Sequence, residues 1–237
     1  MNINKHLILL FSVLFFLFAV SVSSGCFRKN ESDVKSVVRN ELDQLKNLDS
    51  ETTQKYIPYT ELFPDATENT DLTDEINKTF SLFFRKFNYK ISDVIVGTAN
   101  HSATVSVKLT TIDSKVLASD FKAELLRTQI TESAQAQKGN IKDSSRSLEA
   151  HYLILNHLLN TNDYDTAETD CNIQLVNTGN DKKEKWKIQR TNSLEDDLVG
   201  GLIADLADPD ILSPEDTLTV YLDTLQKLDS VSYTHLT

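Results

Sequence analysis

The sequence predicts an α+β fold: N-terminal helices packed on a curved antiparallel sheet of about four strands, with a helical hairpin inserted between two β-hairpins. Three observations predict it. Apolar residues recur at helical spacing before residue 88, and the period switches to two in two separated stretches. A pair of long helical patterns lies between those stretches. Of the 237 residues, the segment from 34 to 207 suits one domain.

The chain opens on a leader. Lys5 and the amino terminus are positive, and no acidic residue precedes Glu31. Residues 7–22 are apolar apart from Ser12 and Ser21. As a helix this run spans roughly 24 Å at ~1.5 Å per residue, short of the ~30 Å hydrocarbon core. An export signal fits better than a permanent span. Ser23-Ser-Gly25 then leads into Cys26 and a polar stretch, which is how a bacterial lipoprotein signal reads, although Ser23 stands where Leu is commonest. Residues 1–25 are therefore expected to be a signal peptide and Cys26 the first mature residue, carrying a thioether-linked diacylglycerol. Two acyl chains, at ~0.8 kcal/mol per buried CH₂, anchor stably where one is marginal. The alternative is an ordinary secretory signal with Cys26 a free thiol. With Cys26 acylated, only Cys171 remains and no intramolecular disulfide can form. Cys171 falls in the apolar phase of a strand pattern, as a small core residue would.

Residues 26–33 read as a tether. Val34, Val37, Val38, Leu42, Leu45 and Leu48 recur at helical spacing and predict an amphipathic helix. Asp49-Ser-Glu51 breaks it and caps a short helix towards Tyr56. Pro58 and Pro64 bracket a loop. A third helix follows from about Thr73, its first turn carrying Asp74 and Glu75. Its inner face is Ile76, Phe80, Phe83, Phe84 and Phe87. Strands are expected over 89–96 and 103–112, turning at residues 97–102, with Val105, Val107 and Leu109 inward. Leu117, Phe121, Leu125 and Thr128 mark one long helix, and Leu148, His151, Tyr152, Leu155, Leu158 and Leu159 the next. A second hairpin places Cys171, Ile173 and Leu175 on one strand and Trp186 and Ile188 on the other. A last helix is read from Ser193, with Asp196 completing a capping box and Leu194, Leu198, Leu202 and Leu206 as its apolar face. Gly200-Gly201 inside it would cost roughly 2 kcal/mol relative to alanines.

Two features mark the far end. Leu42-Asp-Gln-Leu-Lys-Asn-Leu-Asp-Ser50 returns as Leu222-Asp-Thr-Leu-Gln-Lys-Leu-Asp-Ser230, closing an amphipathic helix each time. The expectation is a tandem protein, with residues 208–214 a proline-bounded linker and 215–230 the first helix of a second repeat that packs poorly by itself. Val231-Ser-Tyr-Thr-His-Leu-Thr237 resembles translated sequencing-library adapter, so 231–237 are excluded from the reading of the fold. The natural chain is then expected to continue past Ser230.

This order of elements resembles the nuclear-transport-factor-2-like (cystatin-like) fold, and in particular uncharacterised lipoproteins of Gram-positive bacteria built on it. The resemblance is carried by Cys26, by the opening helix ending Leu45-Lys-Asn-Leu-Asp49, and by Lys185-Trp-Lys-Ile188 followed by Leu198-Val-Gly-Gly-Leu202. It covers most of residues 31–206. Some relatives by fold are isomerases or cyclases with an Asp or His inside the cone, but the inward strand positions here hold no acid–base pair.

The net charge of −11 argues against nucleic acid as a partner and against a headgroup-binding basic patch. Membrane attachment would come from the lipid on Cys26, at the extracytoplasmic face of the cell membrane. No catalytic residue, metal site or cofactor is expected. His151 is the one candidate on an apolar face, read as a helix-border histidine that is solvated or hydrogen-bonded. Asn162-Asp-Tyr-Asp165 with Glu168 lacks the loop Gly and final Glu of an EF-hand and reads as a solvated acidic loop. Phe80, Phe83, Phe84, Phe87 and Trp186 would form the core or line an apolar pocket. The expected function is a lipid-anchored binding or interaction module without catalytic activity. The alternatives are a carrier of a small apolar ligand in the cone interior and, third, an isomerase-like enzyme.

Overall fold

The computed structural model describes the chain outside residues 1–29, 58–61, 65, 67–71, 98–100, 137–144, 180–183 and 235–237. Cys26 and the leader lie outside the described residues, as do most of the tether and residues 235–237. The fold is α+β. A four-stranded antiparallel sheet in the order β1-β2-β3-β4, open rather than closed, carries packed helices.

In chain order the helix α1 occupies residues 30–46. There follow α2 (Ser50–Tyr56), α3 (Thr73–Phe83) with a 3₁₀ turn (Phe84–Lys86), β1 (Asn88–Val96) and β2 (Ser102–Ile112). The helical excursion is α4 (Ser114–Ala136) and α5 (Leu148–Thr161), and the second hairpin is β3 (Thr166–Asn177) and β4 (Trp186–Ile188). Helices α6 (Asn192–Leu198), α7 (Leu202–Ala207) and α8 (Pro214–Thr234) close the chain. No described helix is long and apolar enough to cross a membrane.

Two compact units divide these residues. The first comprises residues up to Glu41, Ile91–Val107 and Asn172–Gln189. Its buried side chains are Val34, Val38, Ala103, Val105, Val107, Ile173, Leu175, Trp186 and Ile188, which are the inward strand positions and the early turns of α1. Period-two alternation puts the polar partners outside. Thr104 meets Gln174 and Ser106 meets Asn172, each at 2.9 Å, in steps of two along antiparallel strands. β4 pairs with β3 through Leu175 with Ile188 and Asn177 with Trp186. Glu184 joins this unit's elements, accepting from Asn30 Nδ2 at 2.9 Å and from Trp186 Nε1 at 3.2 Å.

The second unit holds Leu42–Lys90, Lys108–Cys171 and residues from Arg190 onward. Leu42 and Leu45, from the last turns of α1, are buried here. Leu48 is not part of that apolar face: its φ is +63° and its side chain is exposed. Asp49 N–H donates to the Gln44 carbonyl and Leu48 N–H to that of Leu45, the paired bonds of a Schellman C-cap. The helical period ran one residue past the last helical turn. Asp49 then caps α2, its carboxylate accepting from Thr52 N–H at 2.9 Å. The Thr52 hydroxyl, which donates to the same carboxylate at 2.6 Å, and then this backbone bond hold the Asp49 carboxyl below its ordinary range.

A chain of aromatic contacts crosses the unit. Phe87, Phe84, Phe83 and Phe80 contact one another at centroid distances from 5.3 to 6.2 Å. Phe80 meets Tyr152, Tyr152 meets Phe63, and Phe63 stacks on Phe121 at 5.2 Å. α4 lies against α5, α7 and α8, so its apolar residues spread around the helix instead of forming one stripe.

The last predicted helix is two. Its N-cap is Thr191, whose side chain accepts from Leu194 N–H at 3.1 Å, two residues before the expected Ser193. Asp196 accepts instead from Ala204 N–H. Gly200 and Gly201 do not sit inside a helix; with φ of +68° and +91° they separate α6 from α7. A Cβ at Gly200 would collide with Thr111 Oγ1, so close approach to the end of β2 requires the missing side chain. The Ser114 hydroxyl locks the junction, lying 2.6 Å from the Gly200 carbonyl and 2.7 Å from Asp205 Oδ2.

Candidate functional site: a cavity beside His151

The five aromatic residues singled out from the sequence are buried, and none lines the described cavity. Phe80, Phe83, Phe84 and Phe87 close on one another in the second unit, while Trp186 belongs to the first. The structure brings other residues to a cavity of about 260 Å³ in the second unit. α4 contributes Phe121, Lys122 and Leu125; α5 contributes His151; α7 contributes Ile203, Leu206 and Ala207; Leu62, Phe63, Pro64 and Ala66 complete the wall.

Local sequence explains each placement. Phe121 and Leu125 are one helical turn apart, so both reach the same side of α4. Phe63 is buried, and its carbonyl accepts from Ala66 N–H at 3.0 Å. Its ring stacks on Phe121 and meets the edge of Tyr152, geometries that favour aromatic pairs beyond area burial. Leu206 reaches the wall because the glycine break starts a new helix at Leu202.

His151 is half-buried between two rings, with centroids 4.9 Å from Phe63 and 5.7 Å from Phe121. Its Nδ1 lies 2.8 Å from the Ser147 carbonyl. A carbonyl can only accept, so Nδ1 carries the proton and Nε2 keeps a lone pair in the neutral ring. Burial first, and the Lys122 charge in addition, lower the His151 pKa, while the Ser147 carbonyl opposes them. The imidazole is therefore neutral at physiological pH. Lys122, half-buried at the same cavity, makes no hydrogen bond or ion pair with any described residue.

The acidic loop after α5 is dispersed. Asp163 pairs with Lys86 at 2.6 Å, which lowers its pKa. Tyr164 donates to Asp120 at 2.9 Å, and burial pushes its hydroxyl up to about 12. Glu168 pairs with Lys108 at 3.1 Å. Among the described residues, no group of three His, Cys, Asp or Glu side chains is placed to hold a metal ion. Buried Cys171 faces the half-buried Asp197. Burial, and then the carboxylate, push the thiol up to about 12. Burial likewise raises Asp197.

The periodicity marked His151 as the one polar interruption of an apolar face. Lys122 and Phe63 carry no comparable signal, because one follows a core Phe and the other sits in a loop. No protein family, curated protein or solved structure matches this chain.

Proposed function

We propose that the protein is a lipid-anchored, cell-surface binding module without catalytic activity, and that its cavity beside His151 takes a small, largely apolar ligand. The observation that carries the reading is the cavity itself: about 260 Å³, walled by Phe, Leu, Ile, Ala and Pro, with the neutral His151 imidazole and Lys122 among them. Ligand sites are concave and mostly apolar, with a few convergent polar groups, and usually exceed ~300 Å³. A volume just below that bound favours a small occupant. His151 also gives the isomerase-like reading one specific support. Turnover by proton transfer needs a second group across the ligand, and Lys122 is the one other titratable side chain among the described residues of the wall.

The test is a titration of the mature protein with indole, followed through the His151 imidazole resonances. Saturable shifts at His151, lost when Phe121→Trp fills the cavity, support the reading. Unperturbed His151 resonances across the solubility range of indole would refute it. The anchor has its own test: a fatty-acid analogue should label the wild-type protein in cells and fail to label Cys26→Ser, whereas retained label rules out lipidation at this site.

A further inference from the structure

We propose that the natural ligand class is a small organic carboxylate, its apolar body between Phe63, Phe121, Leu125 and Leu206 and its anionic head on the Lys122 ammonium. This rests on the binding reading above and adds the charge of the ligand. The chain carries 35 acidic residues against 24 basic ones. Among the described residues this wall includes no carboxylate, and its two ionisable side chains are both nitrogen bases, Lys122 and His151.

Lys86, Lys108, Arg127 and Arg190 each face a carboxylate within their own unit, whereas Lys35, also half-buried, faces none among the described residues. Lys122 is half-buried without such a partner among the described residues. A cation beside apolar walls interacts more strongly with an arriving anion than a fully solvated one would, because the local dielectric is lower. An ammonium also binds a carboxylate with a charge-assisted hydrogen bond, about twice as strong as a neutral one. Polyanions do not fit. The cavity is small, it offers one ammonium, and the protein repels high negative charge at long range. A monocarboxylate with an aryl or branched alkyl body satisfies volume, wall and charge together.

The experiment compares sodium phenylacetate with phenylacetamide, which share a body and differ in charge, by calorimetry and His151 resonance shifts on the mature protein. Phenylacetate should bind about 10-fold more tightly, as expected for one charged hydrogen bond. Lys122→Met, which keeps the aliphatic stem, should bring the acid down to the amide and leave the amide unchanged. Equal affinities in the wild type would overturn the carboxylate assignment and leave the apolar-ligand reading standing. If neither compound perturbs His151, both fall. A wild-type preference that survives Lys122→Met also overturns the proposal, because the charge would then be read elsewhere. The wild-type comparison needs no variant, so the outcome does not depend on how Lys122→Met folds.

Discussion

At the scale of single residues, burial sets the chemistry of both side chains that could have been reactive. Cys171 is 2 % exposed, and its thiol stays protonated up to about 12. Only the thiolate is a competent nucleophile. Iodoacetamide at pH 8 should therefore leave Cys171 unmodified in the native protein and modify it in denaturant; rapid native labelling would contradict this burial. His151 makes a pH prediction whose sign follows from its lowered pKa. Below the ordinary value of about 6.5 the unfolded chain takes up a proton that the folded chain resists, so stability falls as pH drops through that value. Asp197, whose pKa is raised, works in the opposite direction at lower pH. Comparing wild type with His151→Gln isolates the histidine: the fall in melting temperature between pH 7 and pH 5 should be smaller in the variant. An equal fall would show that His151 contributes no proton linkage.

At the scale of elements, two helix ends use the same device with different residues. α1 and α6 both finish in Schellman bonds, with Leu48 in one left-handed position and Gly200 in the other. A left-handed conformation costs a residue with a Cβ roughly 1–2 kcal/mol, and Leu48 offsets little of this because it is exposed. Leu48→Gly should stabilise the protein by about 0.5–1 kcal/mol in denaturant melts. Gly200→Ala should destabilise it by more than ~2 kcal/mol, since positive φ and the collision with Thr111 act together. A neutral Gly200→Ala would mean that the junction relaxes freely. These ends also show what the sequence could reveal. Alternation placed Val105, Val107, Leu109, Ile173 and Leu175 inward, and all five are buried. The break at Gly200 was not legible, because leucines at 194, 198, 202 and 206 keep the helical period across it. The cavity was legible only at His151. Its walls come from residues 62 to 207, and no local pattern encodes that convergence.

At the scale of the whole molecule, α1 and α8 share a similar nine-residue stretch and differ in burial. In α1, Val38, Leu42 and Leu45 are 0–2 % exposed. The matching positions of α8 are Leu218, Leu222 and Leu225, and they are 38–57 % exposed, with Tyr221 beside them. α8 is not without support. Ser213 caps it, accepting from Asp216 N–H at 3.1 Å, and Val220 and Thr224 are buried in its packing against α4. The bare stripe therefore lies on a different face from the one that docks. We propose that α8 opens a second copy of the fold, and that the stripe is the face a second core would cover, as α1 is covered in the first. Leu42→Ala should then cost ~2–5 kcal/mol, the range for a buried leucine. Leu222→Ala in the 237-residue protein should stay within ~0.5 kcal/mol, as surface changes do. Sequencing the gene beyond the codon for Ser230 provides the decisive comparison. If a second domain is encoded there, Leu222→Ala in that longer protein should cost as much as Leu42→Ala. A stop codon directly after Ser230, or a cost still under ~0.5 kcal/mol in the longer protein, would sink the tandem reading.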